Sequence, residues 1–343
     1  MNHLDGKTPI RFALVGLGRI GLAHLEALAG VREAQLTAAV EPRATAGQAV
    51  SELHRVRWFA DHGDPAILEL ADAVILCTPP SLHFEQARYF LERGRHVLCE
   101  KPLTLRSDEA RQLVALARER GALLMMASKF RYVDDVVKAK SIVESGILGS
   151  IVLFENSFCG KVAMKDRWNS KRELAGGGVL IDNGTHSVDL ARYLLGPITE
   201  VQAQHGIFAQ GLEVEDTCRL QFRTQGGVMG AIDLSWSINK DSDGYVSVYG
   251  SEGSLVIGWK GSRYRQDGSA KWVSFGAGYD KTVALRRQIE NFVATLQGRE
   301  VPLITGEDAL ASVETIEAGY RSAGQNHWQP VAAAKVEGAG RQP

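Results

Sequence analysis

Ile10-Arg11-Phe12-Ala13-Leu14-Val15-Gly16-Leu17-Gly18-Arg19-Ile20-Gly21-Leu22-Ala23-His24 is the stretch whose reading decides the fold. A run that is apolar apart from Arg11 feeds glycines spaced G-x-G-x-x-G, and Leu22 to Ala29 continues with helical spacing. The order is strand, turn, helix. Gly16 permits the tight turn, Gly18 lets the backbone approach a pyrophosphate, and Gly21 lets helix and strand pack closely. The free N–H groups of the first helical turn, from Arg19 and Ile20 onward, would hold the phosphates. Glycines alone would mark an ordinary turn; the flanking strand and helix favour a dinucleotide site.

The next strand is expected over Gln35 to Val40, with Glu41 at its end, 20 residues after Gly21. An acid there accepts hydrogen bonds from the adenosine ribose hydroxyls and disfavours a 2′-phosphate, which favours NAD. Arg43 weakens that inference, because it can pair with a phosphate, so NADP is not excluded. Further strands are expected over Arg57 to Phe59, Ala73 to Cys77, His96 to Cys99 and Leu123 to Ala127. Helices between them, Leu82 to Arg93 and one opening at Ser107, imply a doubly wound parallel sheet. Ligands bind such sheets at the C-terminal ends of the strands. Those ends carry Thr78-Pro79-Pro80 with His83 close behind, and Glu100-Lys101-Pro102. His83 either contacts the cofactor or caps local structure. Lys101 either faces water, as most lysines do, or hydrogen-bonds a substrate hydroxyl and favours its alkoxide.

The pattern changes after Ser128. We expect a cofactor domain over residues 1–128, an α+β domain over 129–330, and a frayed tail over 331–343. The second domain should be an open, mostly antiparallel sheet with flanking helices. Its strands are read over Ile151 to Phe158, Thr199 to Ala209, Val214 to Phe222, Val228 to Trp236, Tyr245 to Tyr249 and Leu255 to Trp259. Helices alone cannot cover both faces of such a sheet, so a homodimer or homotetramer through it is expected. Gly176-Gly177-Gly178 opens a helix carrying Asp182 and His186, whose Cβ atoms would lie about 5–6 Å apart on one face. They form either a polar pair lining the helix or a proton-transfer pair. In the second case Asp182, or Asp189 one turn on, would orient the imidazole and raise its pKa. The cationic stretch before this helix, Cys159 to Arg172, is either a solvated loop or a site for an anionic sugar. In it Trp168 would offer a flat wall and Asn169 a hydrogen bond.

The charged fraction of 23% and the net charge of −1 are ordinary for a globular protein and recommend neither nucleic acid nor membrane. Met1 to Pro9 lacks the apolar core of a signal peptide. The four cysteines lack C-x-x-C spacing; a metal site is not expected, and a reduced, cytoplasmic protein is.

On these motifs, with Gly250-Ser251-Glu252-Gly253-Ser254, the chain resembles the glucose-fructose oxidoreductase / inositol dehydrogenase / rhizopine catabolism (Gfo/Idh/MocA) family over nearly its whole length. The resemblance implies a Rossmann domain, an open-sheet substrate domain, and reversible oxidation of a sugar or cyclitol hydroxyl with NAD(P). It places the catalytic lysine, aspartate and histidine on Lys101, Asp182 and His186. The expected cofactor contacts are Gly16, Gly18, Arg19, Ile20, Glu41, Arg43, Thr78, Pro79, His83, Glu100 and Lys101. The expected substrate contacts are Lys101, Arg131, Trp168, Asn169, Asp182 and His186. Rival readings are a sugar-nucleotide or uronate dehydrogenase, a glycosidase of the same family working through transient oxidation, and a non-enzymatic dinucleotide-sensing regulator.

Overall fold

The structure is a computed structural model in which residues 8–331 are described. Six strands form the first sheet: β1 Ile10–Val15, β2 Ala34–Val40, β3 Arg57–Phe59, β4 Ala73–Leu76, β5 His96–Glu100 and β6 Leu124–Ala127. Their order is β3-β2-β1-β4-β5-β6 and every pairing is parallel. The central strands are apolar on both faces because helices cover both; β4 and β5 are buried at every position. Strand order reverses between β1 and β4, so a crevice opens at their C-terminal ends, where Gly16 and Thr78 lie. The expected elements of this sheet are present within a residue or two at their ends; in the second sheet the strand expected over Thr199 to Ala209 stops at His205, and that expected from Val214 starts at Thr217. The helix Ala44–His54 was not read from the sequence. Its composition carries little apolar period, and its Gly47 is where the Trp58 ring packs, since a Cβ there would overlap the indole.

Nine strands form the second sheet: β7 Ile151–Cys159, β8 Ile198–His205, β9 Thr217–Thr224, β10 Met229–Ser235, β11 Val246–Gly250, β12 Gly253–Ile257, β13 Ser262–Gln266, β14 Val273–Phe275 and β15 Gln329–Pro330. The order is β14-β13-β12-β11-β7-β10-β9-β8-β15, antiparallel except for the parallel pair β7–β10. β9 shows the period-2 logic: Cys218, Leu220 and Phe222 are buried, while Arg219, Gln221 and Arg223 are exposed. Helices Asp134–Glu144, Val179–Leu195 and Gly306–Gln325 pack on the inner face. The outer face has no helix on it among the described residues. The helix Lys281–Leu296 returns to the first sheet, burying Leu285, Ile289 and Phe292 there, with the Phe292 ring 6.0 Å from that of Phe12. Thr305 caps the helix Gly306–Gln325 through a reciprocal box with Asp308. Val331 bonds Thr199; the rest of the expected tail, 332–343, lies outside the described residues.

Register brings the functional ends together. β7 runs antiparallel to β11 with Asn156 opposite Val246, and β11 to β12 with Val246 opposite Ile257. Phe158, Tyr245 and Trp259 therefore gather at one end of the sheet, where the Val179–Leu195 helix also begins. Asn183 Nδ2 donates to the Phe158 carbonyl at 3.5 Å.

Candidate active site

Each glycine of the first turn has its own spatial reason. Gly16 has φ +90°, and a Cβ there would stand 2.7 Å from the Cys77 carbonyl oxygen. A Cβ on Gly21 would overlap the Gly16 carbonyl, so the helix Arg19–Ala29 sits against the turn only because Gly21 lacks one. A Cβ on Gly18 would meet nothing within 4 Å. That open side, with the unbonded N–H groups of the helix start beside it, fits a pyrophosphate.

Glu41 is buried, and Oε2 accepts the Leu17 N–H at 2.8 Å. Arg43 donates to it from Nε at 2.6 Å and Nη2 at 3.0 Å. Burial pushes the carboxyl pKa up, but Arg43 and the backbone N–H groups outweigh it and hold it low. The acid expected to reject a 2′-phosphate is thus largely neutralised by an exposed arginine beside it. The Thr78 hydroxyl donates to Gln86 at 2.6 Å. His83, expected as a cofactor contact, is fully buried, with Nδ1 2.8 Å from the Pro102 carbonyl and Nε2 2.9 Å from that of Thr78. It braces the two crevice loops against each other and presents no surface to a ligand.

Glu100 also turns inward. Its Oε1 lies 2.8 Å from His24 Nε2 and its Oε2 accepts the Lys101 N–H at 3.1 Å. The carboxylate therefore fixes the backbone of Lys101 rather than lining the crevice. Burial opposes its charge, and His24, Lys129 and Lys101 more than offset this, so its pKa falls.

Lys101 crosses to the second domain. Its Nζ donates to Asp182 Oδ1 and, at 3.0 Å, to the Asp182 carbonyl. Asp182 is placed by the glycine run. A Cβ on Gly178 would overlap the Glu215 carbonyl, and Glu215 Oε1 accepts the N–H groups of Gly178 at 2.9 Å and Leu180 at 3.1 Å. A buried carboxylate thereby seats the helix N-terminus. The Tyr320 hydroxyl completes the seat, donating to the same oxygen at 2.7 Å.

The pairing expected on this helix is corrected. Asp182 holds Lys101, not His186. Asp189 holds Arg131, whose Nη2 reaches its Oδ1 at 2.7 Å. Arg131 is consequently no substrate contact: it is buried, and its guanidinium also donates to the Leu303 carbonyl and pairs with Asp308. Burial works against its charge, but the two aspartates raise its pKa. His186 has no carboxylate partner among the described residues, and its Nδ1 is buried without a hydrogen bond. Its pKa is not raised but lowered well below the usual imidazole value, first by burial and then by the charges of Lys101 and Lys129. That shift favours the neutral ring.

Sequence reasoning missed Lys129 and Phe130, on the short turn Lys129–Tyr132 after β6, and also Trp259 and Tyr279. Burial, opposed by Glu100 and reinforced by Lys101, lowers the Lys129 pKa. The Phe130 ring meets His186 edge-on at 5.1 Å. Trp168 and Asn169 lie on a turn, Trp168–Ser170, and no hydrogen bond or ring contact ties them to Lys101, Asp182 or His186 among the described residues. Lys161, Lys165, Lys171 and Arg172 are exposed, as in a solvated loop.

A parallel sheet with a glycine turn at its switch point, whose Lys101 pairs with an acid on a helix packed on a second, open sheet, defines a dinucleotide-dependent oxidoreductase. Residues 10–128 match the model of an oxidoreductase family with an NAD-binding Rossmann fold, and residues 136–256 match the GFO/IDH/MocA C-terminal domain. The chain belongs to the Gfo/Idh/MocA family. It is similar to scyllo-inositol 2-dehydrogenase (NAD(+)) of Bacillus subtilis (strain 168), 27% identical over 322 residues, 89% of this chain and 91% of that one. A second relative from that organism, scyllo-inositol 2-dehydrogenase (NADP(+)) IolU, is 28% identical over 256 residues, 72% of this chain and 76% of its own. Among solved structures, the WlbA dehydrogenase of Bordetella pertussis, in complex with NADH and UDP-GlcNAcA, superposes with a TM-score of 0.84 at 26% identity. That likeness covers 96% of this chain and 100% of WlbA. No helix among the described residues is long and apolar enough to cross a membrane.

Proposed function

We propose that this chain is an NAD(P)-dependent dehydrogenase moving a hydride between nicotinamide and a hydroxyl-bearing carbon of a sugar, a cyclitol or a derivative of one. The observation that carries the reading is the meeting of the Lys101–Asp182 pair with a neutral His186 at the dinucleotide crevice. The bound dinucleotide supplies hydride acceptance in one direction and donation in the other. Gly16, Gly18 and the N–H groups of Arg19 and Ile20 would hold its pyrophosphate, Glu41 and Arg43 would face its adenosine ribose, and Thr78 and Pro79 would shape the crevice. In oxidation His186 takes the hydroxyl proton at Nε2, which its depressed pKa keeps free of a competing proton. The Lys101 ammonium stabilises the negative charge that grows on the oxygen. Asp182 fixes that ammonium at the oxygen's position. In reduction the same groups act in reverse.

Two observations favour a narrower second reading, an acidic or nucleotide-linked sugar: Lys129 adds a second ammonium to the site, and WlbA was solved with UDP-GlcNAcA. The test is a panel of cyclitols, neutral sugars, uronates and nucleotide sugars with NAD+ and NADP+, scored by NADH or NADPH absorbance. Sugar release without net NADH would turn the reading to a glycosidase. Tight dinucleotide binding with no turnover of any compound would turn it to a regulator. We also infer a homo-oligomer formed through the outer sheet face, because Val152, Met229 and Tyr249 are exposed on that sheet without a covering helix. Light scattering on the purified chain checks it. Four free cysteines suit a cytoplasmic location.

A further inference from the structure

A wall of rings beside His186 is explained by neither the fold nor the hydride chemistry. It begins at Phe130, edge-on to the imidazole at 5.1 Å. Tyr279 stacks on Phe130 with centroids 5.0 Å apart and planes 20° apart. Trp259 stands 5.6 Å from Tyr279 and 6.3 Å from Phe130, backed by Tyr245 at 4.5 Å. Phe130, Phe158 and Tyr245 are buried, as core rings are. Trp259 is not: it is 48% exposed, and Tyr279 is half-buried. A single exposed apolar side chain needs no explanation. Here, however, the exposed indole is the outer end of a continuous cluster whose inner end is the base. Phe130, Trp259 and Tyr279 come from three separate segments: the turn after β6, the loop after β12, and the loop before the helix Lys281–Leu296. The Tyr279 backbone N–H is bonded to the Trp259 carbonyl at 3.0 Å, which holds the two outer rings in one register.

We propose that Trp259 and Tyr279, backed by Phe130, are the face of the substrate subsite against which the C–H side of the reacting ring lies. The proposal rests on the dehydrogenase reading above and adds a rule for which rings fit. A six-membered chair with equatorial hydroxyls presents axial C–H bonds on each face and its oxygens around the rim. The weakly positive hydrogens suit the negative face of an aromatic ring. A ring lying on the wall then turns its rim, and so one hydroxyl, toward His186 and Lys101. An axial hydroxyl on the wall side would be pressed against ring carbon and stripped of water there. The substrate class is therefore a ring with at least one face free of axial hydroxyls.

The test uses the full chain with NADH bound, a dead-end state, and two probes that differ only in stereochemistry. scyllo-Inositol has no axial hydroxyl; D-chiro-inositol has one on each face. Titration calorimetry on the wild type should find scyllo-inositol bound at least about tenfold more tightly, the scale of one ring-face contact. Trp259→Ala should remove most of that preference by weakening scyllo-inositol, while Trp259→Phe, which keeps a ring at a half-exposed position, should retain it. Equal affinity of the wild type for both probes overturns the proposal. So does absence of binding by either, or an equal loss for both probes in Trp259→Ala. Binding is read without turnover. A wild type that prefers scyllo-inositol yet forms no NADH from it with NAD+ would refute the dehydrogenase reading for that probe and leave the wall standing.

Discussion

Replacing Lys101 with Met tests the site at its centre, because the variant keeps length and apolar bulk and removes only the ammonium. Three consequences follow from its contacts. The first is kinetic: the charge stabilising the substrate oxygen is lost, and turnover at saturating substrate should fall at least about a hundredfold. The second concerns stability. Lys101 and Asp182 are 15% and 23% exposed, between the buried and surface limits for ion pairs. Orphaning the Asp182 carboxylate should cost about 1–2 kcal/mol, above a surface pair and below a fully buried one. The third concerns pH. The His186 pKa lies low through burial and the charges of Lys101 and Lys129. Removing one of those charges lets it rise, so the acid limb of the residual activity should move toward neutrality. The double variant Lys101→Met/Asp182→Leu separates these effects, since it has no orphaned carboxylate. It should recover most of the stability in chemical denaturation and none of the turnover. NADH binding, followed by its fluorescence, should be nearly unchanged in both. Turnover within about tenfold of wild type in Lys101→Met, with the acid limb unmoved, would refute the role given to the ammonium.

Cofactor choice should respond to the Glu41–Arg43 pair: Glu41→Ser should raise NADP+ affinity relative to NAD+, and Arg43→Ala should lower it, with unchanged ratios in both variants counting against the pair as the determinant. Gly178→Ala should yield a destabilised, poorly active protein, because its Cβ would overlap the Glu215 carbonyl; a wild-type melting temperature would show that the seat of the helix has slack. His96 is buried and accepts the Leu123 N–H at Nδ1, with its pKa lowered to about 4, mainly by burial. An imidazole with a depressed pKa contributes stability that is full above about pH 6.5 and is lost as pH falls toward 4, up to about 3 kcal/mol for this group. Denaturant titrations across that window should be flatter in His96→Asn, and an equal slope would assign the loss to other groups.

The parts of this molecule legible in its sequence are those whose cause is local. Gly16 and Gly21 are required by atoms within the same strand–turn–helix unit or the neighbouring strand end, so spacing alone announced them. The i, i+4 relation of Asp182 and His186 was equally local, and one helix, Val179–Leu195, carries both. Their partners were not local. Which carboxylate meets which cation depends on how the helix Val179–Leu195 is rotated and how the two sheets are set against each other. That rotation sends Asp182 to Lys101 and Asp189 to Arg131, and leaves His186 against Phe130. The chemistry changes with it: an imidazole expected to be held basic by an acid is instead held neutral by burial and two ammonium groups. Glu100 and His83 misled for a related reason. They stand at the ligand edge in sequence, but their side chains turn inward to bind His24, the Lys101 backbone and two loop carbonyls. The residues nearest the proposed substrate ring, Phe130, Trp259 and Tyr279, come from segments far apart in the chain, with no motif of their own. In this chain the residues that form motifs cluster at the crevice, whereas the aromatic wall proposed to fit the substrate ring is assembled only by tertiary structure. A sequence that fixes the first so plainly therefore leaves the substrate unnamed, and the inositol pair, which probes the wall and not the motifs, is the more discriminating experiment.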